Sequence, residues 1–457
     1  MASLVEDRVA SYIEEHAEEA LAELERYCRF ESVAAQGRQI EETAAYVLDL
    51  LRDAGFEAHI EPKPAPGHPV VLAERRGSSP RSILFYNHYD VQPEDPLELW
   101  TSPPFEPRRA DGKIYARGVS DNKVHLISRL LAVRAVLAVE GELPCTVKWL
   151  VEGDEEIGSP RFAEFAEQHR DFLRSDAALS EGGYVGWDGT PQISLGVKGL
   201  LSVELRVRTA ARDAHSSMAT VVPNAAWRLV WALATIKAPD ERILIPGWYD
   251  EVVPPTEAQK QLLLAQPSEA EQTLKSLELK EFLGGVRGYE YRERTTFAPT
   301  ATINGLTSGY QGPGNKTVLP AVASAKLDFR LVPNQDPERQ LARLREHLQR
   351  SGFDDIQVEV TGAEHPARTD PEEPFVELVR RTARVVYGRE PYVSPNMAGT
   401  QPLYPLQQAC QAPIASAGLG HPDARAHAPD ENIRIADFVP ATRHVAAIIL
   451  GLAAMGD

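Results

Sequence analysis

Apolar side chains recur at helical spacing through the start of the chain, at Val9, Ile13, Leu21, Leu24, Tyr27 and Phe30, with glutamates between them. The spacing predicts a long amphipathic helix over residues 5–30. A second helix, 41–54, stops at Gly55. Short apolar runs then occupy 70–73, 83–86, 145–151 and 177–179, interleaved with helical patterns at about 123–139 and 159–169. Strands alternating with helices predict an α/β fold, a mixed sheet covered on both faces. Ligands bind such sheets at the carboxyl ends of strands, which is where His88, Glu155, Glu156 and Glu181 fall.

The middle of the chain changes character. Residues 201–207 alternate apolar and polar, 223–236 read as helix, 298–303 and 321–331 as strands, 337–350 as helix, and 356–360 alternate again. That order is a ferredoxin-like split unit with one open sheet face. It predicts a separate small domain at 198–363, carrying a Glu/Leu/Gln-rich, partly helical insert at about 239–297. The flanking segments, 1–197 and 364–457, then form one domain, closed by a helix over 435–452.

Composition narrows the possibilities. Against 48 Lys and Arg stand 66 Asp and Glu, a formal charge of −18 that repels phosphate backbones and anionic lipid, so no nucleic-acid partner is expected. The three cysteines, Cys28, Cys145 and Cys410, are odd in number and far apart, without a Cys-x-x-Cys pair. Neither a disulfide framework nor a thiolate zinc knuckle is predicted, and reduced cytoplasm is the expected compartment. The acidic N-terminus lacks the pattern of a secretory signal, and the apolar tail at 445–455 is shorter than the roughly 20 residues of a bilayer span, so no membrane segment is expected.

Candidate chemistry lies in a series of acids and histidines. Phe85-Tyr-Asn-His-Tyr-Asp90 ends an apolar run with His88 and Asp90; Gly118-Val-Ser-Asp-Asn-Lys123, Glu152-Gly-Asp-Glu-Glu156, Ser180-Glu-Gly182 and Ala426-His-Ala-Pro-Asp-Glu431 follow in order. A catalytic pair of zinc ions needs about six protein ligand atoms, from imidazole nitrogen and carboxylate oxygen, with one carboxylate bridging. His88, Asp121, Glu156, Glu181 and His427 supply that set, which is rich enough in oxygen to accept Mn2+ or Co2+ as well. Asp90 is placed to accept a hydrogen bond from the second ring nitrogen of His88. Glu155, pointing away from its ligand neighbour, is free for proton transfer. Taken singly each motif has an ordinary explanation: a surface turn for His88, solvated charge for the glutamate pair, a turn cap for His427, with His421 as its nearest competitor. What sets them apart jointly is position, since each acid follows an apolar strand or opens a glycine-flanked turn.

Over almost its whole length the chain resembles the di-zinc superfamily of aminoacylases, carnosine dipeptidases, acetylornithine deacetylases, succinyl-diaminopimelate desuccinylases and glutamate carboxypeptidases. The likeness is carried in order by Asn87-His-Tyr-Asp-Val-Gln-Pro93, Trp100-Thr-Ser-Pro-Pro-Phe105, Asp111-Gly-Lys-Ile-Tyr-Ala-Arg-Gly-Val-Ser-Asp-Asn-Lys123, Glu152-Gly-Asp-Glu-Glu156, Asp213-Ala-His-Ser-Ser217, Lys326-Leu-Asp-Phe-Arg-Leu-Val-Pro333 and His427. The resemblance implies a mixed-sheet zinc-peptidase catalytic domain with an inserted ferredoxin-like dimerisation (lid) domain. It further implies that His88, Asp121 and Glu181 bind one zinc, that Asp121, Glu156 and His427 bind the other, that Glu155 is the general base, and that the Asp121–Asn122 peptide is cis.

By the same resemblance His215 steadies the oxyanion in a partner subunit's active site, and Arg330 clamps the substrate's free carboxylate, a task suited to a planar guanidinium. Gly399-Thr-Gln401 and Ser416-Ala-Gly-Leu-Gly420 resemble backbone-donor turns, so Gly399, Thr400, Ser416 and Gly418 are expected to bind substrate; each turn can equally be a tight turn needing positive φ. The implied protein is a cytoplasmic homodimer that cleaves the amide bond of small peptides bearing a free carboxylate. An N-acyl amino acid deacylase is the alternative. Glu181, where dipeptidases commonly carry aspartate, leans towards the deacylases, whereas Gln92-Pro93, Trp100 and the long insert lean towards the dipeptidases.

Overall fold

The computed structural model describes residues 2–267 and 270–455; Met1, Gly456, Asp457 and two positions of the expected insert, Ser268 and Glu269, lie outside them. The main elements run α1 (Ala2–Cys28), α2 (Ile40–Asp53), β1 (Glu57–Glu61), β2 (Val70–Arg75), β3 (Ser82–His88), α3 (Val124–Glu140), β4 (Thr146–Glu152) and β5 (Ala177–Ser180). They continue as β6 (Gly199–Arg208), α4 (Ala225–Ile236), β7 (Thr302–Ser308), β8 (Val322–Leu331), α5 (Pro337–Arg350) and β9 (Gln357–Glu364), then α6 (Pro374–Tyr387), β10 (Ile414–Ser416) and α7 (Phe438–Ala453).

Two compact units result, one of Met1–Gly196, Arg368–Pro395 and Pro402–Asp457, the other of Val197–Ala367 and Asn396–Gln401. The sequence reading assigns 1–197 and all of 364–457 to the first domain; Val197, residues 364–367 and Asn396–Gln401 belong to the second unit instead. Hydrogen bonding ties Asn396–Gln401 to the second unit: Lys198 N–H donates to Gly399 O at 2.9 Å, and the Thr400 hydroxyl donates to Lys198 O at 2.8 Å.

In the first unit a six-stranded sheet has the order β1-β2-β4-β3-β5-β10. Strands β4, β3, β5 and β10 are parallel, and β2 and β1 add an antiparallel edge. Buried on both faces, the parallel strands read as continuous apolar runs, which is why the sequence showed them. Edge strand β1, Glu-Ala-His-Ile-Glu, is polar and half exposed, and its pattern gave no strand signal. Register places His88 beside Glu152 and Ser180 beside Ser416, so the strands end together at one rim.

Helix α3 packs against α1 and α7 and is buried almost all round. Its polar side chains therefore need internal partners. Ser128 pairs with Thr442 at 3.0 Å, and Arg129 donates to Tyr86 O at 2.8 Å and Asn87 Oδ1 at 3.0 Å. The apolar stretch at the C-terminal end proves longer than 445–455: Ile435–Ala453, 19 residues of mean hydropathy 1.4, has the length and composition to cross a membrane. It is half buried against α1, α3 and α6, as a core helix is.

The second unit has an antiparallel sheet of order β7-β8-β6-β9 with α4 and α5 packed on it. This is the ferredoxin-like arrangement read from the element order. Leu201, Val203 and Leu205 from β6, Leu229 from α4, Leu344 from α5 and Phe329 from β8 share one core. The insert contributes to it through Trp248, fully buried against Phe329.

Candidate active site and metal centre

The rim of the parallel strands in the first unit gathers the predicted ligands. Strand β3 ends on His88, which is wholly buried; a turn after β4 carries Glu155 and Glu156; Glu181 follows β5 directly. Asp121 lies in the tight turn Val119–Lys123 preceding α3, and its peptide with Asn122 is cis. Strand Asn432–Arg434 pairs antiparallel with Lys113–Tyr115, which returns His427 to the same place. His427 has φ 63°, the left-handed region. A non-glycine residue persists there only when its surroundings fix it. The Asn432 side chain donates to Asp423 O at 2.9 Å and Asp430 O at 3.0 Å, and Asp430 accepts from Thr101 Oγ1 at 2.7 Å.

Asp121 sits between the two histidines, one carboxylate oxygen to each. Its Oδ1 is 3.1 Å from His88 Nε2 and its Oδ2 is 3.0 Å from His427 Nε2. His427 Nε2 is also 3.0 Å from Glu156 Oε2, and His88 Nε2 is 3.4 Å from Glu181 Oε2. The ligand atoms of His88, Asp121 and Glu156 lie within 4.8 Å of one another, as do those of His88, Glu155 and Glu181. Glu155 thus turns into the same cleft as its neighbour, whereas the sequence reading had it pointing away. A short 3-10 turn over Glu155–Ile157 is what lets adjacent residues converge.

Asp90 does more than the sequence suggested. The Nδ1 of His88 meets Asp90's backbone carbonyl at 3.0 Å and its carboxylate at 3.3 Å. That carboxylate accepts the backbone N–H groups of Glu155 and Glu156, at 3.2 and 3.0 Å. Beneath the turn, buried Lys63 donates to Glu152 at 2.7 Å and to Asp154, while Asp154 accepts from His68 N–H at 2.9 Å. Burial and Glu152 push Asp154 up to about 8; burial works against ionisation of Glu152 too, but Lys63 overrides it and holds Glu152 below its usual range.

Electrostatics show how much positive charge the cleft calls for. Burial first, then Glu181, hold Glu155 well above the usual carboxylate range, and burial with Asp121 raises Glu156. Burial, Asp121 and Glu156 push Glu181 up to about 8 against the pull of His88. Hydrogen bonds to Asp121 and Glu156 lift His427 to about 10. Burial opposes a charge on Asp121 as well, but His427 and His88 override it and keep it ionised. Protons thus gather where like charges are crowded in a low dielectric, and divalent cations would displace them. The donor set, two imidazoles and four carboxylates with one carboxylate between the histidines, fits a pair of such cations.

The remaining predicted residues divide between the two units. Ser416, at the end of β10, accepts the Ser194 N–H through its hydroxyl at 2.7 Å. Gly418 has room for no side chain: a Cβ there would stand 2.4 Å from His125 Nδ1 and 3.0 Å from Gly183 N. His215, Arg330, Gly399 and Thr400 belong to the second unit. There Arg330 donates to Thr400 Oγ1 at 2.6 Å, and His215, exposed, pairs through Nδ1 with Ser217 Oγ at 2.8 Å. Sequence reasoning overlooked Lys63, Arg129 and the anchoring role of Glu431, although Glu431 stood at the end of a quoted motif.

Comparison with known proteins places the chain in a family. The model of Peptidase family M20/M25/M40 matches residues 84–451. The beta-Ala-His dipeptidase of Homo sapiens is 28% identical, over 98% of this chain and 92% of its own. A Cys-Gly metallodipeptidase of Saccharomyces cerevisiae is 26% identical over 89% of each. Among solved structures, an M20 family metallo-carboxypeptidase from Sulfolobus solfataricus is similar at TM-score 0.90 and 38% identity, covering 96% of this chain and 100% of that one. Human carnosine dipeptidase 1 follows at TM-score 0.81 and 28% identity, covering 99% of both. A family match over residues 84–451 and a shared fold, together with a cleft whose donors fit cations, make this chain a metal-dependent peptide hydrolase that belongs to peptidase family M20/M25/M40.

Proposed function

We propose that the protein is a di-zinc dipeptidase that hydrolyses the amide bond of dipeptides or short peptides with a free carboxylate. The observation that carries this reading is Asp121 presenting one oxygen to each histidine with Glu155 alongside. Bound cations in such a site polarise the scissile carbonyl and acidify water. Glu155 takes the proton of the attacking water and delivers it to the leaving amine, a role that its crowded, buried carboxylate favours. His88, held through Nδ1 by Asp90, keeps Nε2 turned to the cleft.

In this reading Arg330 holds the substrate carboxylate, oriented by Thr400, and Gly399 offers its one backbone N–H as a further donor. His215 steadies the oxyanion from a partner subunit, in a homodimer formed through the second unit. The stacked, exposed Trp227 and Trp231 on α4 support such an interface. Three buried cysteines, none in a disulfide, suit a reducing cytoplasm. A substrate panel on zinc-loaded protein tests the proposal: dipeptides should turn over faster than tripeptides and than N-acetyl or N-succinyl amino acids. Turnover confined to the acyl series would replace it with a deacylase.

A further inference from the structure

Glu431 is almost completely buried and lies four positions beyond His427. Its carboxylate is fully subscribed, two donors to each oxygen. Oε2 accepts Arg117 at 2.8 Å and the Gly118 N–H at 2.9 Å; Oε1 accepts the Ser120 N–H at 2.9 Å and the Asp121 N–H at 3.0 Å. The backbone brings them together. Pairing of Asn432–Arg434 with Lys113–Tyr115 sets residue 431 against the turn that begins at Ala116, whose N–H donates to Glu431 O at 3.1 Å. Arg117 is itself fixed, donating to Pro93 O at 3.1 Å and lying 5.1 Å over the Trp100 ring.

We infer that Glu431 is a positioning residue for the metal centre, locking the Asp121 turn and the His427 segment into one register so that Asp121 is held ready between the two histidines that would bind cations. This inference rests on the reading of Asp121 and His427 as ligands. Successive N–H groups along a tight turn form a concavity for an anion, and here the protein supplies the anion itself. Without it those N–H groups would be buried unpaired, and the turn would have to relax to satisfy them. Asp121 would then lose its placement between the histidines. Glutamine at 431 keeps the shape but points an amide N–H2 at donors. Aspartate keeps the charge but is one methylene too short to span the turn.

The test uses the full chain, stripped of metal by chelation and titrated with Zn2+ against a competing chelator. Wild-type protein should bind two equivalents; if it binds none, the metal-centre reading fails, and not this inference alone. Glu431→Gln and Glu431→Asp should each lose on the order of tenfold in affinity for at least the weaker equivalent, as removal of groups that orient ligands does. Thermal melts separate positioning from mere support. In both variants the rise in melting temperature on adding Zn2+ should shrink, whereas Ser128→Ala, which removes a buried hydrogen bond in α3, should lower the melt and leave that rise intact. Wild-type binding with less than a threefold loss in either folded variant overturns the inference. Should Glu431→Gln fail to fold, Glu431→Asp alone decides.

Discussion

The carboxylate of Asp90 holds the backbone N–H groups of Glu155 and Glu156 at 3.2 and 3.0 Å while the same residue's carbonyl stands 3.0 Å from His88 Nδ1. One side chain and its own peptide thus fix a histidine of one strand end and the glutamate pair that follows the next. Replacing Asp90 with asparagine leaves an N–H2 facing an N–H. Asp90→Asn should lower kcat by about 10- to 100-fold, with a parallel loss of metal affinity. Steady-state kinetics at saturating Zn2+ check this, and a kcat within twofold of wild type would remove Asp90 from the machinery.

Glu155→Gln should keep both cations and lose turnover. General-base groups typically contribute about 10²- to 10⁴-fold, so a drop of that size is expected with metal content unchanged by elemental analysis. Loss of metal along with activity would reassign Glu155 as a ligand, a role its place beside His88 and Glu181 also allows.

Arg330 and Thr400 form a pair whose use should appear in KM. Charge-assisted hydrogen bonds are worth about 1.5–3 kcal/mol, so Arg330→Ala should raise KM about tenfold or more for dipeptides, and Thr400→Val by less. A dipeptide amide, lacking the carboxylate, should be insensitive to both changes. If amide and acid respond alike, Arg330 is not the clamp.

Acid lability should come in part from His444. Burial depresses its pKa from the usual 6.5 to about 4, only partly opposed by the Val379 carbonyl that its Nε2 meets at 3.0 Å. The unfolded chain takes up this proton near pH 6.5 and the folded chain does not, so the stabilisation is complete above that pH and is lost as pH falls from 6.5 towards 4. The contribution is on the order of 3 kcal/mol. His444→Gln, able to donate to the same carbonyl, should flatten melting temperature against pH across this window. Buried His125 and His421 are lowered too, by burial to about 3 and about 4, so some acid sensitivity should persist.

Trp227→Lys together with Trp231→Lys should convert the proposed dimer to monomer in analytical ultracentrifugation. If His215 serves the partner subunit, this double variant and His215→Ala should lose kcat in parallel. A monomer of undiminished kcat would separate assembly from catalysis.

Much of the site was legible because metal chemistry restricts side chains. His88, Asp121, Glu156, Glu181 and His427 each need one of a few residue types at a strand end or turn, and apolar runs announce those strands. Glu431 and Arg129 act largely on backbone atoms and Lys63 on the carboxylates of Glu152 and Asp154, and their letters match those of solvated surface charge. Only the pairing of Asn432–Arg434 with Lys113–Tyr115, which periodicity does not encode, reveals what Glu431 holds. Gly418 is expected from the sequence to sit in a substrate-binding backbone-donor turn, and the structure adds that the nearness of His125 forbids a side chain there. In the second unit the element order sufficed for topology, but the allegiance of Asn396–Gln401 depended on a hydrogen bond to Lys198.

Where the chain departs from the first unit and where it comes back are neighbours: the Thr369 N–H donates to Leu195 O at 2.7 Å. An excursion of this kind leaves its host's ends already joined, so length, loops and surface of the inserted unit can change without disturbing the strand rim that carries the ligands. The inserted unit and the rim that gathers His88, Asp121, Glu156, Glu181 and His427 are thereby separately mutable modules.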